Sequence, residues 1–342
     1  MVKLKGRLLA LAATSLVVLA ACSGAGTTTA PESAAPAESG APAESAAPAG
    51  SAATGEAVKI CVTFPILDQF LQTVADGMEA KATELGNVEL NIVAAQEKTD
   101  VQLGQVEYCI SQGVDAIVVI PVDTDAAGPM TDAATAAGIP LVYVNRRPSD
   151  LPTDGSIPYV GSDSLYAGTV EMQELAKLAE GKGNVVILIG DPANEAAVLR
   201  TKGCKDVVAQ NPGMKVTKEQ SGNWYREEGL SIMENWLQTG EQIDVVCANN
   251  DEMALGAIQA LKNGNLLDKV LVGGVDATKD ALAAMKAGDL EVTVFQDAKG
   301  QGGGGVEAAV KLAHGETVQT EQGIVDIPYQ LVTPANMADF GG

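Results

Sequence analysis

The stretch Asp244-Val245-Val246-Cys247-Ala248-Asn249-Asn250-Asp251-Glu252-Met253-Ala254-Leu255-Gly256 decides how the chain is read. An apolar, β-branched run stops at two asparagines and an acid pair. Met253, Leu255, Ala257, Ile258 and Leu261 then recur at helical spacing. The pattern predicts a buried parallel strand running straight into a helix. In open α/β sheets, polar residues beyond the carboxyl end of such a strand face the ligand crevice. Asn249 and Asn250 carry amides that donate and accept, which suits a neutral hydroxylated ligand. Asp251 and Glu252 suit a helix first turn, where the dipole favours negative charge. The competing reading is that an asparagine here only caps the helix.

Strand and helix patterns alternate on both sides of this stretch. Strands are expected over 58–63, 88–94, 116–120 and 141–145, with helices over 70–85, 99–112 and 125–137 between them. After a loop without periodicity from 146 to 157, the alternation restarts at 164 and runs to 295. Short connections between such elements mean parallel sheets flanked by helices. The roughly 285 residues from Val58 onward exceed one comfortable core. The expected fold is therefore α/β, with two similar Rossmann-like lobes. A last helix over 300–314 and a segment over 324–332 cross back to complete the two sheets.

The charge balance, Lys+Arg 22 against Asp+Glu 44 for a net −22, argues against a nucleic-acid partner, which needs basic surface to meet phosphates. The single histidine, His314, falls at the end of a predicted helix. Histidine metal sites and Ser-His or Cys-His nucleophile pairs have no material here. No metal, no cofactor and no catalysis are expected.

At the N-terminus, Lys3, Lys5 and Arg7 precede an apolar run over 8–21, the layout of a secretory signal. It ends in Leu19-Ala20-Ala21-Cys22, which resembles the lipobox of bacterial lipoproteins. That resemblance implies removal of 1–21 and lipid on Cys22, anchoring the chain to the outer face of a cell membrane or placing it in the periplasm. Residues 22–56 are Ala, Pro, Ser, Glu, Thr and Gly and bury nothing, so a disordered tether is expected. Four further cysteines remain. Pairing Cys61 with Cys109 and Cys204 with Cys247 is compatible with the predicted elements, and four buried thiols are equally compatible.

A cleft between two lobes collects strand ends from both. Standing there are Phe64, Asp68, Phe70, Gln96, Lys98, Asp123, Asn145 and Arg146 from the first half. The second half supplies Asp191, Asn194, Arg200, Trp224, Asn250, Asp276 and Gln296. Charged groups of both signs can hold the donor and acceptor sides of hydroxyls. Phe64, Phe70 and Trp224 offer flat apolar faces for the C–H face of a ring.

The chain resembles the periplasmic sugar-binding proteins of the ribose/galactose/xylose type, the substrate receptors of ABC importers. The motifs that carry the resemblance are Asn250-Asp251-Glu252-Met253-Ala254-Leu255-Gly256-Ala257, Gln112-Gly113-Val114-Asp115-Ala116-Ile117 and Gly138-Ile139-Pro140-Leu141-Val142. Val144-Asn145-Arg146 and Val272-Gly273-Gly274-Val275-Asp276 add to them. The resemblance implies the periplasmic-binding-protein type I fold, in which three crossover strands join the lobes, near 159–162, 296–299 and 324–328. The lobes would then be 57–161 plus 298–325, and 162–297 plus 326–342. Sugar contacts would fall on Asp68, Phe70, Asn145, Arg146, Arg200, Trp224, Asn250, Asp276 and Gln296. Phe64 joins this ligand-binding set from its strand-end position. Leu71 and Asn145 depart from the aromatic and aspartate common in that family, which keeps a polyol or cyclitol open beside a monosaccharide. A membrane permease is the implied partner, and a monomer the implied state.

Two rival readings stand beside this one. Gly300-Gln301-Gly302-Gly303-Gly304-Gly305 satisfies a dinucleotide-binding pattern, but at the end of the chain instead of its first βαβ unit. A sensor feeding a chemoreceptor or kinase would use the same lobes and the same site.

Overall fold

A computed structural model describes residues 56–341. The predicted signal, Cys22 and all but the end of the tether lie outside the described residues. The first elements are β1 (Val58–Phe64), α1 (Gln69–Leu85), β2 (Val88–Ala94), α2 (Thr99–Ser111), β3 (Ala116–Val119), α3 (Gly128–Ala137), β4 (Leu141–Val144) and β5 (Tyr159–Gly161). Next come α4 (Ser164–Leu178), β6 (Lys182–Ile189), α5 (Glu195–Gln210), β7 (Gly213–Ser221), α6 (Arg226–Gln238) and β8 (Val245–Ala248). They are followed by α7 (Asp251–Asn263), β9 (Leu271–Gly273), α8 (Lys279–Ala287) and β10 (Thr293–Phe295). Helix α9 (Ala298–Ala313) and strands β11 (Ile324–Asp326) and β12 (Gln330–Val332) close the chain.

The first sheet is parallel throughout, in the order β11-β5-β4-β3-β1-β2. The second has β7-β6-β8-β9, parallel, and single bridges Gly273↔Val292 and Asp276↔Phe295 continue it to β10, which pairs antiparallel with β12. Written from one edge, the orders are 2-1-3-4-5-11 and 7-6-8-9-10-12. The two lobes share one plan, and the chain passes between them three times: after β5, after β10 and between β11 and β12.

Both faces of each sheet are covered, so its strands are apolar without alternation. On β8, Val246 and Ala248 pack on one side, while Val245 and Cys247 pack on the other. On β1, Ile60, Val62 and Phe64 face one core and Cys61 the opposite one. The cysteines form two disulfides, Cys61–Cys109 tying β1 to α2 and Cys204–Cys247 tying α5 to β8.

β5 is a strand where only a crossing is predicted; three residues are too few to display a period. β9 stops at Gly273, and the backbone soon turns into the left-handed region at Asp276 (φ 121°) and Ala277 (φ 52°).

Candidate functional site

The carboxyl ends of both sheets converge on one narrow cavity, whose empty space is about 430 Å³ with the open mouth included. Of the ten predicted contacts, nine line it. The first lobe supplies Asp68 and Phe70 beyond β1, and Asn145 and Arg146 beyond β4. The second supplies Arg200 from α5 and Trp224, Asn250, Asp276 and Gln296 beyond β7, β8, β9 and β10. Leu71, Asn194 and Ala196 complete the lining.

Phe64 is not among them. It is fully buried in the first-lobe core with Ile60 and Val62. The period-2 geometry of β1 puts residues 60, 62 and 64 on one face, so Phe64 points into the core and does not line the cavity. Asn194 stood among the strand-end residues but outside the predicted contacts. Leu71 and Ala196 carry no polar signal that could have marked them.

Asp68 caps α1, its Oδ1 accepting from Leu71 N at 2.7 Å. Burial raises its carboxyl pKa, opposed by that hydrogen bond and by Arg146. Arg146 donates from Nη1 to the carbonyls of Pro121 (3.2 Å) and Val122 (3.4 Å). Asn145 leaves β4 at φ 64° and donates to Gln301 Oε1 at 2.9 Å.

The second-lobe side is more tightly bonded. Arg200 donates from Nη1 to Asn249 O (2.6 Å) and from Nη2 to Gln296 Oε1 (2.8 Å) and Tyr329 Oη (2.7 Å). Its guanidinium lies 5.7 Å from the Trp224 ring centroid and 5.6 Å from that of Tyr329, within cation–π range. Its buried Nε has no partner among the described residues. Asp276 Oδ1 is 3.9 Å from Arg200 Nη1, too far for a hydrogen bond. Burial therefore pushes the Asp276 carboxyl well above its ordinary 3.8. Asp276 and Trp224 (φ 74°) are held in a backbone region costly for a side-chain-bearing residue. Gly190 leaves room for the indole, since a Cβ there would lie 2.1 Å from the ring.

Asn250 fulfils both readings of the opening stretch. It caps α7, its Oδ1 accepting from Met253 N at 3.0 Å, and it lines the cavity while donating to Trp224 O at 3.1 Å. Asn249 faces inward, accepting from Gly190 N and Thr201 Oγ1. Asp251, expected as an ordinary first-turn residue, is fully buried and accepts from Thr278 N and Thr293 Oγ1, both at 2.7 Å. Burial lifts its pKa to about 7. Glu252 stays at the rim, paired with Arg226 at 2.8 Å.

Guanidiniums and carboxyls lining one cavity suit hydroxyls, which accept from one and donate to the other. A larger hollow of about 1630 Å³ lies at the opposite end of the second sheet, by Lys182, Asp244 and Leu271. It is at the amino ends of the strands and gathers none of these groups. The glycine run of α9 has a packing role. A Cβ on Gly302 would lie 2.0 Å from Val74 O, so the glycines let α9 lie directly on α1.

The family model for the periplasmic binding protein domain matches residues 60–317. The chain belongs to this family. It is 48% identical over 279 residues to a putative rhizopine-binding protein of Rhizobium meliloti, covering 80% of this chain and 89% of that one. It is 38% identical over 264 residues to a xylitol-binding protein of Mycolicibacterium smegmatis, covering 77% of this chain and 74% of the relative. A solved ABC transporter solute-binding protein from Bacillus halodurans with bound myo-inositol is 42% identical. It superposes with a TM-score of 0.79 over 84% of this chain and 99% of its own. These relatives are solute-binding proteins and not enzymes, and the fold is the type I periplasmic-binding-protein fold. The dinucleotide-enzyme reading falls.

Proposed function

We propose that this protein is the substrate-binding lipoprotein of an ABC importer, taking a cyclitol, another polyol or a monosaccharide between its lobes and delivering it to a membrane permease. The observation that carries the reading is the gathering of Asp68, Arg146, Arg200 and Asp276 around one cavity. Two carboxyls and two guanidiniums favour a neutral polyhydroxylated ligand over an ion. Phe70 and Trp224 supply apolar faces, and Asn145, Asn250 and Gln296 supply amides. The names of the relatives' ligands lean toward a cyclitol or polyol. The lobes are assigned as 57–161 with 298–325, and 162–297 with 326–342, closing as a hinge on ligand. Lipid on Cys22 would hold the protein at the outer face of the cell membrane.

A thermal-shift screen over cyclitols, linear polyols, pentoses and hexoses tests the ligand class. A rise in melting temperature with at least one is expected, because ligand that binds only the folded state stabilises it; no rise with any would sink the reading. For the anchor, Cys22→Ala should move the protein from the membrane fraction to the soluble one. Retention of the variant on membranes would refute it.

A further inference from the structure

Asn194 occupies the N-cap position of α5, yet its side chain makes no capping hydrogen bond. It is 1% exposed and both ends of its amide are engaged elsewhere. Oδ1 accepts from Trp224 Nε1 at 3.1 Å, and Nδ2 donates to Val122 O, in the other lobe, at 3.1 Å. Capping is taken over from that same lobe. Thr124 Oγ1 accepts from Glu195 N at 3.2 Å, and Thr124 N donates to Ala193 O at 3.0 Å. Val122 O is also one of the carbonyls that receive Arg146. A continuous relay thus runs from Arg146 in one wall of the cavity, through Val122 O and Asn194, to Trp224 in the other.

We propose that Asn194 is a positioning residue that exchanges partners when the lobes part, an inference that rests on the ligand site assigned above. In the closed form Thr124 caps α5 and leaves Asn194 free to hold the indole. When the lobes separate, α5 loses Thr124, and Asn194 returns to the role its position and residue type favour, capping α5. Trp224 is then released. The indole is in its binding orientation only while the lobes are together, so ligand contact and closure form one event.

Asn194→Asp separates this from a structural role. The carboxylate still accepts from Trp224 Nε1 and can cap α5, but it has no hydrogen to give Val122 O. The reporter is Trp224 fluorescence in a Trp236→Phe background, quenched by iodide with and without myo-inositol, alongside the wild type and Thr124→Val. The ligand-free protein samples both forms, and without the bond to Val122 O the latched one is rarer, so Asn194→Asp should make Trp224 more accessible to iodide without ligand. Thr124→Val should act in the same direction. Where myo-inositol binds the wild type, each variant should weaken it about fivefold to tenfold, the worth of one net hydrogen bond, through faster release. The double variant should lose little more than either single one, since both break one latch. Equal quenching of wild type and Asn194→Asp without ligand overturns the proposal, as does full additivity of the two changes. Absence of myo-inositol binding to the wild type counts against the ligand assignment, and the ligand-free quenching still decides the latch.

Discussion

The two halves of the cavity are built differently. On the second-lobe side, Arg200, Asn250, Asp276 and Gln296 are all buried, and Arg200 is fixed by three hydrogen bonds within the protein. On the first-lobe side, Asp68, Phe70, Asn145 and Arg146 are half-buried, and Arg146 is held by two longer bonds to backbone carbonyls. One wall is preorganised and the other can adapt. Preorganised groups give up less freedom on binding, so they contribute more affinity per contact. Ligand is therefore expected to engage the second lobe first, with the first lobe folding over it.

The largest effect that would break this comparison comes from the two arginines. Arg200→Ala leaves Asn249 O, Gln296 Oε1 and Tyr329 Oη without their donor and Asp276 without its nearest cation. Removing one partner of such a buried network costs on the order of 3–5 kcal/mol. Loss of measurable binding by calorimetry and a clear fall in melting temperature are expected. Arg146→Ala should weaken binding by about tenfold and leave the melting temperature nearly unchanged, as suits a group bonded only to two carbonyls. Equal losses from the two variants would erase the distinction between platform and lid.

A smaller effect is expected in pH dependence, and it too belongs to the second lobe. Burial raises Asp251 from 3.8 to about 7 and Glu195 from 4.5 to about 7. A carboxyl whose pKa is raised on folding contributes stability that is complete below its unfolded value and lost as pH climbs to its folded one. Melting temperature should thus decline from about pH 4 to about pH 7 and level off above. Asp251→Asn should flatten part of the slope. A melting temperature that rises over that interval would contradict it.

Much of the site was legible because strand ends are legible. A β-branched run ending in Asn, Asp or Arg marks the edge of a parallel sheet, and in this topology the carboxyl edges of both sheets face one cleft. That logic placed Asp68, Asn145, Arg146, Trp224, Asn250, Asp276 and Gln296 at the crevice edge. It failed for Phe64, since residue type named an aromatic while strand parity decided which way it faced. It could not rank Asn194 above Gln96 or Asp123, because nothing local tells a polar loop residue that crosses to the other lobe from one that meets water.

The sequence by itself determined the alternation of strands and helices, their boundaries to within a few residues, the two-lobe plan and the polar character of the cleft. These follow from the spacing of apolar residues and from turn chemistry, which act over a few positions of chain. The tertiary structure alone decided that Asp251 is a buried carboxyl tied to Thr278 and Thr293, and that the α9 glycines serve contact with α1. It also decided that Asn194 gives its amide to Trp224 and the opposite lobe while Thr124 caps its helix. Each of these depends on partners dozens of residues away, and burial and unpaired hydrogen bonds become definite only when the sheets are assembled.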